Sequence, residues 1–234
     1  MYNPIELSKK TEMIVAKDNM KKYYRFRPTG FYGGIATADT VGCNLRCKFC
    51  WSSNSVWNAN NIGQFFTSED VAEKIMDIAY KKGYHQLRIS GGEPTIGKQH
   101  LIGLLEKIKT KYLFILETNG ILLGYDKKYI ERLSSFKNLH IRVCLKGADP
   151  EEFSLFTGAE NGFDYQIKAL QYLKEKNMNF NIALVSVNKE KKQNLFQRLI
   201  KIGLDKVMIE EEEIKLYPLV KKRLEKEGLI NIFK

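Results

Sequence analysis

The sequence predicts an α/β fold: a partial (β/α)6 TIM-like barrel, a parallel sheet with helices outside. Three observations carry that expectation. Strand-like and helix-like segments alternate six times from residue 32 onward, and repeated βα order builds a parallel sheet with its helices packed outside. Six units are fewer than the eight of a closed barrel. The unusual residues fall just after the strands, and chemistry in parallel α/β folds gathers at the C-terminal strand ends. A doubly wound open sheet is the second arrangement compatible with the same alternation.

Residues 1–30 are polar and basic, with seven Lys/Arg against three acids. They read as an N-terminal extension, one use for which is a substrate-facing arm. Residues 31–234 read as the barrel with a C-terminal helix. Residues 32–40 are expected to form the first strand. Residues 52–66, long and polar, read as an active-site lid or partner contact. Residues 68–83 suit an amphipathic helix, with Ser68 as N-cap and Val71, Ile75, Ile78 and Ala79 as the apolar stripe. Strands follow at 86–90, 113–118, 140–147, 181–187 and 205–210. Helices are expected at 99–110, 126–136, 162–176 and 190–202, the last stopped by Gly203. Pro218 suits the first turn of a final helix ending near Gly228.

The composition is that of a globular protein, 44% hydrophobic and 28% charged. No run approaches the roughly 18 apolar residues of a membrane span, and Met1–Met13 lacks the apolar core of a secretory signal. The expected location is the cytoplasm, with no membrane partner. The net charge of +11 admits an anionic partner such as RNA, or a lysine-rich solvated surface. Four cysteines do not make a disulfide framework, and in a reducing compartment clustered cysteines more often bind metal or do redox work.

Three of those cysteines, Cys43, Cys47 and Cys50, lie in CNLRCKFC with the spacing C-x3-C-x2-C. Thiolates are soft ligands that suit zinc or iron–sulfur sites. A structural zinc closes its tetrahedron with four ligands, yet Cys144 is far along the chain and no histidine is near the loop. Three thiolates on a four-iron cluster leave one iron open. A zinc site completed by a distant residue, or unrelated buried cysteines, are the other readings of the spacing.

The segment CNLRCKFC, with Phe49 before the third cysteine, resembles the signature of the radical S-adenosylmethionine (SAM) superfamily. The likeness runs from about residue 33 to about 210. It implies a partial barrel holding a [4Fe–4S] cluster on Cys43, Cys47 and Cys50, with SAM chelating the open iron. One-electron reduction then splits SAM into methionine and a 5′-deoxyadenosyl radical, which abstracts hydrogen from substrate. A reducing electron donor is implied as partner.

The other rim residues agree. Gly91, Gly92 and Glu93 lie in SGGEPT after the second strand. Two glycines let backbone approach a ligand closely, and the family's GGEP motif implies contact with the SAM amine. Asn119-Gly120 after the third strand reads as a turn or as a polar contact to SAM, and both can hold. Lys146 ends the fourth strand. The segment RVCLKG, then DPEEF and Thr157-Gly158, is similar to glycyl-radical activating enzymes of the pyruvate formate-lyase type, where the matching lysine approaches the SAM carboxylate. Cys144 stands where those enzymes have an aspartate.

Arg88 and Arg142, inside strands, face inward to bind substrate or pair with Glu117, or face outward. Ser186 and Asn188 read as SAM or substrate contacts, or as a cap and turn. Glu210–Glu213 read as charge before a helix, or as ligands for an amine or hard cation, with Glu210 nearest the rim. Trp51 and Trp57 are candidates to shield the cluster or stack on adenine.

The leading expectation is a radical SAM enzyme abstracting hydrogen from an unidentified substrate, whether small molecule, protein or RNA. No auxiliary cluster or cobalamin domain is expected. The alternatives are a tRNA or RNA modification enzyme, a glycyl-radical enzyme activase, and a non-catalytic cysteine-bound metal module.

Overall fold

The computed structural model describes residues 1–233. In chain order the elements are α1 (Pro4–Val15), β1 (Ala16–Lys17), β2 (Met20–Thr29), β3 (Ile35–Thr40), α2 (Ser53–Trp57), β4 (Gln64–Thr67) and α3 (Ser68–Lys82). They continue as β5 (Gln86–Gly91), α4 (Lys98–Lys107), β6 (Leu113–Thr118), α5 (Ile121–Tyr125), α6 (Lys127–Leu133) and β7 (Leu139–Lys146). The rest are α7 (Pro150–Thr157), α8 (Gly162–Glu175), β8 (Asn179–Val185), α9 (Lys189–Lys201), β9 (Ile209–Glu211) and α10 (Pro218–Lys226).

One nine-stranded sheet runs β1-β2-β3-β5-β6-β7-β8-β9, with β4 on β2. From β3 to β9 every pairing is parallel. Each new strand adds beside the last, so the strand order never reverses. Right-handed crossovers then place all the helices on one face. A doubly wound sheet needs a reversal, and this topology has none; it is the partial barrel.

The two faces differ in chemistry. Ala38, Ile89, Leu116, Val143 and Leu184 point to the helices and join a single apolar core. Their neighbours Asp39, Ser90, Glu117, Arg142 and Asn181 point the other way, in register across the sheet. This is the period-two alternation of a strand.

Several boundaries depart from the sequence expectation. Residues 31–33 form a 3-10 turn, so the first parallel strand starts at Ile35. The helix expected at 126–136 is the shorter α6, preceded by α5, which was not expected, and the strand expected from 205 starts at Ile209. The N-cap of α3 is Thr67, one residue before Ser68. Its side chain accepts the Asp70 N–H while Asp70 answers the Thr67 N–H, a reciprocal capping box. Residues 1–30 supply α1, β1 and β2, and β2 pairs antiparallel with β3. Two of their lysines, Lys21 and Lys22, are buried. The segment 52–66 is tied down by α2 and by β4 on β2. No helix among the described residues is long and apolar enough to cross a membrane.

Candidate functional site

The cysteine loop follows β3 at the C-terminal rim and is held from several sides. The Arg46 N–H donates to the Tyr2 hydroxyl at 2.7 Å, and that hydroxyl donates to the Thr157 carbonyl. The Lys48 N–H reaches the Phe156 carbonyl. The Glu93 N–H donates to Gly42 O at 2.7 Å. One Arg223 nitrogen, from α10, donates to the Lys48 and Cys50 carbonyls at 3.0 Å each. Loop carbonyls and N–H groups that a strand would pair are thus satisfied by distant parts of the chain.

The cysteines sit at the centre of this frame. Cys47 is buried, and Cys43 and Cys50 are partly so. Burial pushes the Cys47 thiol up to about 12 and raises Cys43 and Cys50; the neighbouring thiols add to the rise at Cys43 and Cys47. A bound cation reverses this, because it carries the thiolate charge. Among the described residues, no three His, Cys, Asp or Glu side chains converge as ligands of one metal ion.

The cysteine surroundings are rich in N–H donors. Leu45 N–H lies 3.3 Å from the Cys43 sulfur, and Asn119 Nδ2 lies 3.8 Å from it. Asn119 Oδ1 accepts the Ile121 N–H, and Asn119 Nδ2 donates to Asn44 Oδ1 at 2.7 Å. That chain fixes both amide orientations and leaves Asn44 Nδ2 buried without a partner. A cluster sulfur or a ligand atom is a natural acceptor for such a group.

Gly91 and Gly92 serve a purpose the sequence did not disclose. A Cβ on Gly92 would overlap the Gly42 carbonyl oxygen, and one on Gly91 would lie 2.9 Å from Thr40 N. The glycines let the GGEP loop press against the cysteine loop itself. Glu93 is likewise occupied. Its carboxylate accepts from Thr95 N, Thr95 Oγ1, Thr118 Oγ1 and Asn119 N. Four donors fill a carboxylate's ordinary capacity. Glu93 therefore ties the GGEP loop to the end of β6, and its oxygens are not free for an ammonium ligand, as the sequence had suggested.

Lys146 ends β7 with its ammonium 5.9 Å from the Phe49 ring centroid and 3.7 Å from Glu212. Burial opposes its charge; the neighbouring Cys144 and Glu212 outweigh burial and raise its pKa, Glu212 being the partner ionised at neutral pH. Phe49 packs edge-on against Phe156 and Phe233, so its ring is a wedge between loop and core.

Arg88 and Arg142 both face inward. Arg88 meets Glu117 at 3.1 Å. Arg142 meets Glu210 at 2.8 Å and Glu212 at 2.9 Å. Glu211 and Glu213 instead pair with Lys192 and Lys215, so the acidic run is split by strand alternation. Cys144 shares the inner wall, with an Arg142 nitrogen 3.6 Å from its sulfur. Its thiol is raised by burial to about 12. Asn188 caps α9 through the Lys191 N–H, and Ser186 Oγ is buried without a partner. Trp51 and Trp57 are half exposed. The Trp57 ring has the Arg223 guanidinium 5.0 Å and the Arg46 guanidinium 5.6 Å from its centroid.

Sequence reading missed Asn44, Tyr2, Arg223 and the pair Arg25 and Arg27, which share the buried Asp39. Only Asn44, inside the cysteine motif, carried a local signal.

The family model described as "Radical SAM superfamily" matches residues 38–200. Among curated proteins, a probable GTP 3′,8-cyclase of Methanococcus maripaludis is 30% identical over 124 residues, covering 52% of this chain and 39% of that protein. A probable GTP 3′,8-cyclase of Archaeoglobus fulgidus is 34% identical over 134 residues, 54% of this chain and 41% of that one. The chain thus spans well under half the length of these relatives. Among solved structures, Streptococcus suis SuiB bound to precursor peptide SuiA superposes with a TM-score of 0.62 at 21% identity, over 83% of this chain and 44% of that one. Native anSMEcpe with bound AdoMet gives 0.56 at 21%, over 81% and 57%. These likenesses show the fold. The curated relatives are cyclases, whereas the motif pattern alone suggested glycyl-radical activating enzymes. The family match covers most of the chain, its three cysteines and both rim loops included: the chain belongs to the radical SAM superfamily, a superfamily of enzymes.

Proposed function

We propose that this chain is a radical SAM enzyme that binds a [4Fe–4S] cluster through Cys43, Cys47 and Cys50 and cleaves SAM to abstract hydrogen from a substrate held at the inner wall. The observation that supports this reading is that the loop bearing the three thiols, with Asn119 beside Cys43 and Lys146 beside Phe49, stands at one end of the parallel sheet. When bound, the reduced cluster supplies one electron to the sulfonium of SAM, giving methionine and the 5′-deoxyadenosyl radical.

The chain's own residues bind, orient and exclude water. Lys146 offers a held positive charge to the SAM carboxylate. The backbone of Gly91 and Gly92 would hold the amine of SAM, with Glu93 bracing that loop. Asn119 links the β6 rim to Cys43 and Asn44. The inner row of Ser90, Glu117, Arg142 and Asn181 is the surface left for substrate.

The cyclase names of the relatives bring a purine nucleotide into consideration as substrate. The activase reading lacks its aspartate, since Cys144 takes that position. The basic charge leaves RNA as a further substrate class.

The test is anaerobic iron–sulfur reconstitution, then dithionite and SAM. The expected result is a brown protein that binds about four irons and releases 5′-deoxyadenosine. A colourless protein holding zinc through the same cysteines overturns the reading in favour of a metal-binding module.

A further inference from the structure

The proposed reaction consumes one electron per SAM cleaved, and that electron must cross the protein surface near the cysteines. The C-terminal helix α10 lies directly on the loop carrying Cys50, tied there by Arg223. Leu219, Lys222, Arg223 and Lys226 recur at i, i+3, i+4 and i+7, which sets them on one helical face. Leu219 is 64% exposed, and Trp57, over which Arg223 lies at 5.0 Å, is 46% exposed. Arg46 covers the same ring at 5.6 Å.

The face thus presents two exposed apolar side chains, Trp57 and Leu219, together with the cations Arg46, Lys222, Arg223 and Lys226. No acid of α10 neutralises it. Glu225 pairs with Lys221 on the helix's other flank, and Glu227, just beyond α10, pairs with Lys48. Exposed tryptophan and arginine with a charged rim are the composition of a protein-docking surface. A surface of one sign also steers an opposite-signed partner and raises its encounter rate.

We propose that this face is the docking site for an acidic one-electron carrier protein, which gives up its electron beside Cys50. The inference rests on the radical SAM reading. The carrier is oxidised by one electron, the bound cluster is reduced by the same electron, and no atom is transferred.

The test compares two reductants on the reconstituted full chain. Reduced flavodoxin serves as the acidic carrier, and dithionite, a small molecule, needs no docking site. The variant is K222E/K226E, neither residue being part of the cysteine frame. The expected outcome is a fall of about tenfold or more in flavodoxin-driven kcat/KM for 5′-deoxyadenosine release. The dithionite-driven rate stays at the wild-type level, and raising salt slows only the flavodoxin reaction of the wild type. An unchanged flavodoxin rate in the variant overturns the proposal, as does failure of flavodoxin to reduce a wild type that dithionite drives. If the variant loses RNA binding while its flavodoxin rate holds, the face belongs to RNA and the proposal also fails. Absence of 5′-deoxyadenosine with dithionite in the wild type is a different result, because it sinks the radical SAM reading beneath.

Discussion

The two faces of the sheet follow opposite rules. The outer face, from Ala38 through Ile89, Leu116 and Val143 to Leu184, is aliphatic and sealed by helices. The inner face, one residue out of step, carries Asp39, Ser90, Glu117, Arg142 and Asn181 in register. The same strands build both. The outer face stabilises the fold by removing apolar surface from water, about 25 cal/mol per Å². The inner face does the reverse. It draws ions partly out of water, and it holds only because each has a partner. A polar wall of that cost has a use for its charges, and the cysteine loop stands at its open end.

The largest expected effect tests what the inner wall serves. Cys47→Ala removes a thiol from the buried centre of the loop; reconstituted iron and 5′-deoxyadenosine release both fall to background, while far-UV circular dichroism keeps the wild-type helix and strand content. Retention of full iron loading would break the link between wall and loop.

On the outer face, Phe114→Ala empties a fully buried site against the helices. Denaturant titration is expected to show a loss of about 3–5 kcal/mol. On the inner face, Arg88→Met takes the 3.1 Å ion-pair partner from Glu117, leaving that partly buried carboxylate with Ser90 Oγ at 2.6 Å and the Arg142 guanidinium at 3.9 Å. The single change is expected to cost about 3 kcal/mol, whereas the double variant R88M/E117L recovers most of that loss. Phe114 has no such rescuing partner. If the double variant is as unstable as the single one, the contrast between the faces fails.

The last effect, confined to acid pH, concerns a polar group on the helix side. His100 is buried between α4 and β2, its Nδ1–H donating to Asn19 O and its Nε2 accepting the Tyr23 hydroxyl. Both nitrogens are satisfied in the neutral ring, and burial lowers the His100 pKa to about 4. In the unfolded chain the ring titrates near 6.5. Between those values the unfolded state binds more protons, so this contribution is intact above about pH 6.5 and is lost as pH falls towards 4. The loss amounts to about 3 kcal/mol. The pH slope of stability in wild type minus that in His100→Asn measures it, and no difference between the slopes would place a charged ring inside the apolar face.

Local pattern carried much of this. Six βα units, the C-x3-C-x2-C loop, the GGEP loop, Asn119 and Lys146 were all legible, because period and spacing are local properties of a chain. The pairing of Arg142 with Glu210 was not legible, the sequence offering Glu117 as its partner, since strands seven and nine are joined through β8 and a helix. Thr67 displaced Ser68 as cap because Asp70 closes a reciprocal pair with the earlier residue.

By itself the sequence determined that three thiols share one short loop and which strand ends bear the unusual residues, since side-chain type and alternation need no knowledge of distant contacts. Only the tertiary structure decided that Glu93 is a brace and that Gly92 admits the Gly42 backbone. It also decided that residues 1–30 complete the sheet and that α10 lies on the Cys50 loop. Those outcomes depend on which backbone groups remain unpaired after the chain has folded, and hydrogen bonds between segments far apart in sequence leave no periodic trace along it.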